Sequence, residues 1–289
     1  MQRISVFLFK IGVWFFGLIP FWVLYRLSDL LYFIFLYVIK YRYEVVKNNL
    51  EKSFPEKNET EIKKLIKKFY TNLCDILLEG IKGLTMSEQT LLKRYKFIDT
   101  PEFRKMMTEP RSIILSGGHY TNWEWLIITP RFGLRQPVVG VYKAIKNPYM
   151  NEFMFQGRTR FGIVAAPMEE TRQVIQNFAH QQASFILIGD QSPSNLRTAH
   201  RVRFLNQETA WLPGVGSIAQ KMDFPVYYND VYRVRRGFYE VKVALICDNP
   251  TELKDSEITK LYVTKLEEII QKNPANWLWS HKRWKHNLE

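Results

Sequence analysis

A histidine and a carboxylate share the sharpest chemical feature of this chain, the run Gly117-Gly118-His119-Tyr120-Thr121-Asn122-Trp123-Glu124. An imidazole with one ring nitrogen held by a carboxylate can take a proton from a hydroxyl through the other, and such general-base catalysis contributes about 10²–10⁴ in rate. On one continuous helix His119 and Glu124 would point about 140° apart. If His119 sits in a loop ahead of the helix, the chain can fold back and let Glu124 accept from one imidazole nitrogen. The other reading of the same residues is a loop histidine next to a helix-start glutamate favoured by the dipole. The apolar run 112–115 before the two glycines reads as a strand, and Thr121 or Asn122 is placed to cap a helix containing Glu124. In open α/β sheets, ligands bind at the carboxyl ends of strands.

Positioning such a pair requires a sheet, and the pattern supplies one. Short apolar runs at 112–115, 138–142, 163–165, 185–188, 226–232 and 239–246 alternate with helical stretches. This predicts an α/β fold, a single domain with a largely parallel central sheet flanked by helices. Ile62, Leu65, Ile66, Phe69, Leu73, Ile76 and Leu77 recur at three and four residues, which predicts one amphipathic helix with Lys63, Lys64, Lys67 and Lys68 on its wet face.

Ahead of that body, the apolar runs 11–24 and 30–39 are separated by Arg26, Ser28 and Asp29, and Pro20 interrupts the first. Neither reaches the roughly 20 residues that span a bilayer. The pattern suits a kinked or re-entrant anchor, or one helix with snorkelling ends; the competing readings are a cleaved signal peptide, against which no small-x-small cleavage pattern follows the apolar run, and a helical hairpin packed on the body. Residues 1–42 are thus expected to form an N-terminal membrane-anchoring segment and 43–289 the α/β domain.

The 289 residues are 46% hydrophobic and 24% charged, which excludes a disordered polymer and a transporter with many spans. Lys plus Arg is 41 against 28 Asp plus Glu, a formal charge of +13 that favours polyanionic partners. No zinc-finger, RNA-binding or basic-zipper signature supports nucleic acid, and the apolar N-terminus favours acidic lipid. Arg3, Lys10, Lys40, Arg42 and Lys47 flank the apolar runs, which places both flanks and the body on the cytoplasmic side. Cys74 and Cys247 have no metal-ligand spacing, and no metal site is expected. The sequence has no Gly-x-Ser-x-Gly, which favours direct attack over a serine acyl-enzyme.

Further candidates follow. Arg158 and Arg160 could hold a phosphate bidentately or be surface arginines on a last helical turn. Asp190 ends the apolar run 185–188 and either structures the site or serves as a turn aspartate. Trp277, Trp279 and Trp284 among His281, Lys282, Arg283 and Lys285 suit a lipid headgroup interface, or a segment packed on the sheet.

Gly117-Gly118-His119-x4-Glu124 after a strand resembles the glycerolipid acyltransferase superfamily. The chain is more specifically similar to the bacterial lipid A late (secondary) acyltransferases. Matching stretches follow in order: Val141-Tyr142-Lys143 with Asn147-Pro148, Gly157-Arg158 with Arg160, Gly189-Asp190-Gln191, and Trp277 to Lys285. The resemblance implies transfer of a fatty acyl chain from acyl-carrier protein to a hydroxyl of a lipid A precursor, at the cytoplasmic face of the bacterial inner membrane, without a cofactor. It implies His119 and Glu124 as the catalytic pair and Arg158, Arg160, Asp190, Gln191 and Asn147 as substrate-binding residues. Asp190-Gln191 departs from the Asp-His pair of many members, which leaves acceptor and chain length open. The alternatives are acylation of another membrane amphiphile (aminoacyl lipid, lysophospholipid or aryl polyene), or, from another class, a non-catalytic basic protein on membrane or nucleic acid.

Overall fold

Strands that must be covered on both sides read as unbroken apolar runs, and the central strands here are of that kind. The computed structural model describes residues 2–129, 134 and 137–286, with side chains from Ser5 onward. Among them, seven strands form one sheet: β1 (Tyr95–Phe97), β2 (Ile113–Gly117), β3 (Val138–Tyr142), β4 (Val164–Pro167), β5 (Ser184–Ile188) and, after a separate antiparallel hairpin of β6 (His200–Phe204) and β7 (Gln207–Trp211), β8 (Val226–Arg235) and β9 (Phe238–Cys247). The order is β1-β9-β8-β2-β5-β3-β4. Every pairing is parallel except β8 with β9. The fold is the expected α/β architecture, and all six predicted strands are present. The short β1 and the β6–β7 hairpin are additions.

Alternation along the strands sends side chains to two cores. Ile114, Val139, Phe185, Val226 and Tyr228 pack against α10 (Gly214–Met222) and α11 (Asp255–Lys272). Ile113, Leu115, Ile186, Tyr227 and Val243 face α6 (Pro101–Met107). The predicted amphipathic helix is α4 (Glu59–Gly83), started by a capping box between Asn58 and Glu61 and buried through Ile62, Ile66, Phe69, Leu73 and Ile76.

The N-terminal segment breaks at Pro20, as its sequence suggests: α1 (Gln2–Leu18) ends there and α2 (Phe21–Phe33) begins, running on into a π-helical turn at Ile34–Val38. Lys82 of α4 answers the break by donating to the carbonyls of Gly17 and, at 2.7 Å, Ile19. Among the described residues, Phe21–Val38 is one helix long and apolar enough to cross a membrane. Large apolar side chains along both helices are exposed, with Trp22 at 72% and Leu18 at 63%.

The polar patch between the two apolar runs lies inside α2, with Ser28 and Asp29 toward the body and Arg26 exposed. Ser28 donates to Asp75 at 2.6 Å, Arg236 bridges Asp29 at 2.7 Å and Asp75 at 2.6 Å, and Arg233 also contacts Asp75. Asp75 is fully buried. A buried charge that loses its partners costs about 3–5 kcal/mol. Asp75→Ala leaves Arg233 and Arg236 without this carboxylate, so thermal unfolding in detergent should show a loss on the order of 3 kcal/mol; an unchanged melting curve would show that this network does not hold the N-terminal helices to the body.

Candidate active site

Sheet register builds the site. β2 and β5 are parallel neighbours with Gly117 opposite Ile188, so continuing each strand by two residues brings His119 and Asp190 side by side. Asp190 Oδ1 lies 2.5 Å from His119 Nδ1, and its Oδ2 accepts from the His119 amide at 2.8 Å and from Trp277 Nε1 at 2.8 Å. Asp190 is 1% exposed. Because the carboxylate can only accept, Nδ1 carries the proton in the neutral ring, and Nε2 presents a lone pair. Gln191 Nε2 stands 3.2 Å from that nitrogen and donates to it.

The two charges explain each other's titration. Burial pulls the His119 pKa down, but the charge and hydrogen bond of Asp190, with the charge of Glu124, outweigh it and hold it above the ordinary value. Burial likewise raises Asp190, and the His119 imidazolium, its ring hydrogen bond, Trp277 and the His119 amide more than offset this, so its carboxyl lies below the usual range. These shifts favour a charged pair.

The loop is held on every side. A Cβ on Gly118 would fall 2.8 Å from Leu266 and 3.3 Å from Asp190 Oδ2, so the close approach requires glycine. Thr121 takes a left-handed φ of 49°, uncommon for a β-branched residue. It is fixed by its amide to Asn276 O at 2.8 Å and its hydroxyl to Val231 O at 3.1 Å. Leu278 donates to His119 O at 3.0 Å. Residues 276–278 thus lie across the His119 loop as a strap. Asn122 caps α7 (Trp123–Ile128) by accepting from Trp125 N at 2.9 Å.

Several expectations are corrected by these contacts. The carboxylate on the His119 ring is Asp190, not Glu124: with Asn122 as cap, Glu124 falls in the first turn of α7, where it packs against Gly80 of α4 and accepts from Trp123 Nε1 at 3.2 Å. Asn147 caps α8 (Pro148–Thr159), its side chain accepting from the amides of Tyr149 and Met150; that employment is structural. Arg160 donates to the carbonyls of Gly83 and Met86 at 2.7 and 2.5 Å and stacks on Phe161, so it closes the end of α4. The C-terminal aromatics are not a headgroup surface. Trp277 and Trp279 are buried, Arg283 lies over Trp211 and donates to Ala210 O, and burial pushes His281 down to about 4, so that it is neutral at pH 7.

What remains lines one cleft of about 280 Å³, which holds His119, Glu124, Gln191, Lys143 and Arg158 against an apolar wall that includes Ile163, Met168, Ile186 and Ile188. The buried Nε of Arg158 has no hydrogen-bond partner among the described residues, and its guanidinium sits 5.7 Å from the Tyr142 ring. Larger clefts of about 370 and 560 Å³ contain none of the predicted site residues. Trp277 as a ligand of Asp190 was not foreseen; its lone signal was a place in an aromatic and basic stretch. Among the described residues no group of His, Cys, Asp and Glu could hold a metal ion.

A base with a fixed tautomer, beside an apolar wall and two cations, can activate a hydroxyl against an acyl carbonyl. Comparison with known proteins identifies the family. The chain is 25% identical over 285 residues to the lipid A biosynthesis lauroyltransferase of Escherichia coli strain K12, covering 96% of this chain and 91% of that one. It is 20% identical over 262 residues to the palmitoleoyltransferase of the same organism and to a lipid A biosynthesis acyltransferase of Shigella flexneri, in each case 86% of this chain and 80% of the relative. The model of the bacterial lipid A biosynthesis acyltransferases matches residues 1–286, and the chain belongs to that family of acyltransferases.

Proposed function

We propose that this protein transfers a fatty acyl group from an acyl-carrier-protein thioester to a hydroxyl of a lipid A precursor, at the cytoplasmic face of the bacterial inner membrane. The observation that carries the reading is the buried His119–Asp190 pair with Nε2 toward an apolar-walled cleft. In the first step the acceptor hydroxyl replaces the Gln191 amide at Nε2 and gives its proton to that nitrogen as its oxygen attacks the thioester carbonyl. Asp190 holds the ring and stabilises the imidazolium, and Glu124 adds negative charge nearby. The tetrahedral intermediate collapses by breaking the C–S bond, and His119 returns the proton to the departing sulfur, giving ester and free thiol without a covalent acyl-enzyme. Ile163, Met168, Ile186 and Ile188 offer the acyl chain an apolar wall, and Lys143 and Arg158 suit an acceptor phosphate. The exposed apolar face of α1 and α2 suits embedding in the bilayer that holds the acceptor.

Three measurements test this. His119→Ala should cut turnover at least about 10²-fold while the protein stays folded; near-normal turnover would remove the base. For Asp190→Asn the sign is fixed by the raised His119 pKa. The base works deprotonated, so wild-type kcat should rise with pH through a midpoint above the ordinary 6.5. Losing the Asp190 charge should lower that midpoint and lower the plateau on the order of 10²-fold; a pH profile with an unmoved midpoint would detach Asp190 from the base. Arg158→Ala should raise the acceptor KM with the donor KM little changed, whereas Arg160→Ala should mainly lower the melting temperature. Equal effects of Arg158→Ala on both substrates would refute the phosphate role.

A further inference from the structure

The proposed mechanism leaves unused another buried carboxylate, Glu79 of α4, which has no exposed surface. Both of its carboxylate oxygens accept hydrogen bonds. Oε1 accepts from Tyr25 OH at 2.9 Å, and Oε2 from Tyr239 OH at 2.6 Å and Asn122 Nδ2 at 2.7 Å; its backbone carbonyl accepts from Trp125 Nε1 at 2.8 Å. One residue thereby joins the apolar helix α2, strand β9 and the capped start of α7. Apolar side chains would fill a core of this shape without the cost of desolvating a charge, so what the carboxylate adds is fixed geometry among those three elements.

That geometry bears on the base. Asn122 is the residue whose other side-chain atom caps α7, and only Tyr120 and Thr121 separate it from His119. Thr121 holds a left-handed φ, a conformation that persists only where its surroundings over-determine it. Asp190 fixes the near end of this loop and Glu79 the far end. Tyr25, the third partner, belongs to the helix whose outward residues Trp22 and Leu30 are 72% and 56% exposed. Tyr25 thus links this exposed apolar helix directly to the carboxylate that holds the loop.

We infer that Glu79 is a positioning residue for the His119 loop, and that through Tyr25 it makes alignment of the loop depend on the seating of α2 in a bilayer. The inference rests on His119 as the base. Its test uses full-length protein in vesicles of phosphatidylethanolamine and phosphatidylglycerol and, in parallel, in detergent micelles. Tyr25→Phe, Tyr239→Phe and Glu79→Gln are compared by kcat, by KM for both substrates and by deuterium uptake of a peptide covering residues 117–125.

Tyr25→Phe should lower kcat in vesicles about five- to tenfold with both KM values within about twofold, and speed exchange of the peptide. In micelles, where no bilayer sets α2, its effect should be under about twofold. Tyr239→Phe removes a hydroxyl from the same carboxylate but not from α2, so it should act equally in both. Glu79→Gln should match or exceed Tyr25→Phe in vesicles. Unchanged exchange in Tyr25→Phe, or an equal effect in vesicles and micelles, would overturn the coupling. If His119→Ala stayed active while Tyr25→Phe still sped exchange, the assignment of the base would fail and the mechanical link to the loop would stand.

Discussion

Taking the Asp190 carboxylate out of water is costly unless its oxygens are met by donors. Three donors meet it: the amide and ring of His119, and the indole of Trp277. They come from two distant stretches of chain, so satisfying this one charge brings the loop after β2 and the strap at residues 276–278 together over the end of β5. Removing one such donor leaves a buried acceptor unsatisfied at about 1–3 kcal/mol. The His119 ring therefore inherits its orientation from a folding requirement. Its tautomer is a by-product of where a buried negative charge has to be placed.

Much of this was legible in the residues. The six predicted strands stand out because central parallel strands bury both faces, and apolar character there is continuous. β1 was invisible because three residues make no period. β6 and β7 make no unbroken apolar run, because exposed Arg201, Arg203 and Glu208 alternate with buried Val202, Phe204 and Thr209, the pattern of a hairpin wet on one face. His119 could be found from its Gly-Gly turn at a strand end. Asp190 also stood out at a strand end, but its pairing with His119 did not, because the adjacency of β2 and β5 is a property of strand order, and their sequence separation gives no local sign of it. Glu124 drew attention by nearness along the chain, but the Asn122 cap commits it to the first turn of α7. Asn147 shows the converse: an Asn before Pro148 already reads as a helix cap by local rules, and the motif pointed past that plain chemistry.

The N-terminal segment teaches a similar lesson about polar residues in apolar runs. Arg26 is exposed, whereas Ser28 is fully buried and Asp29 meets Arg236. Side chains a few positions apart on one helix thus face different surroundings, and sequence proximity hides the difference. The break at Pro20 is likewise not left open, because Lys82 reaches the carbonyls that the ended helix frees. An apolar helix with one greasy side and one hydrogen-bonded side is built to sit between a lipid phase and a protein surface.

The strap has a consequence for the order in which the enzyme becomes competent. Residues 276–278 leave the ribosome long after His119 and Asp190, by an interval on the order of ten seconds at ordinary elongation rates. Until then Trp277 cannot donate to Asp190 and Leu278 cannot donate to His119. The apolar helices of the N-terminus meanwhile emerge first. The strap that completes the hydrogen bonds of His119 and Asp190 is therefore among the last parts of the site to be made.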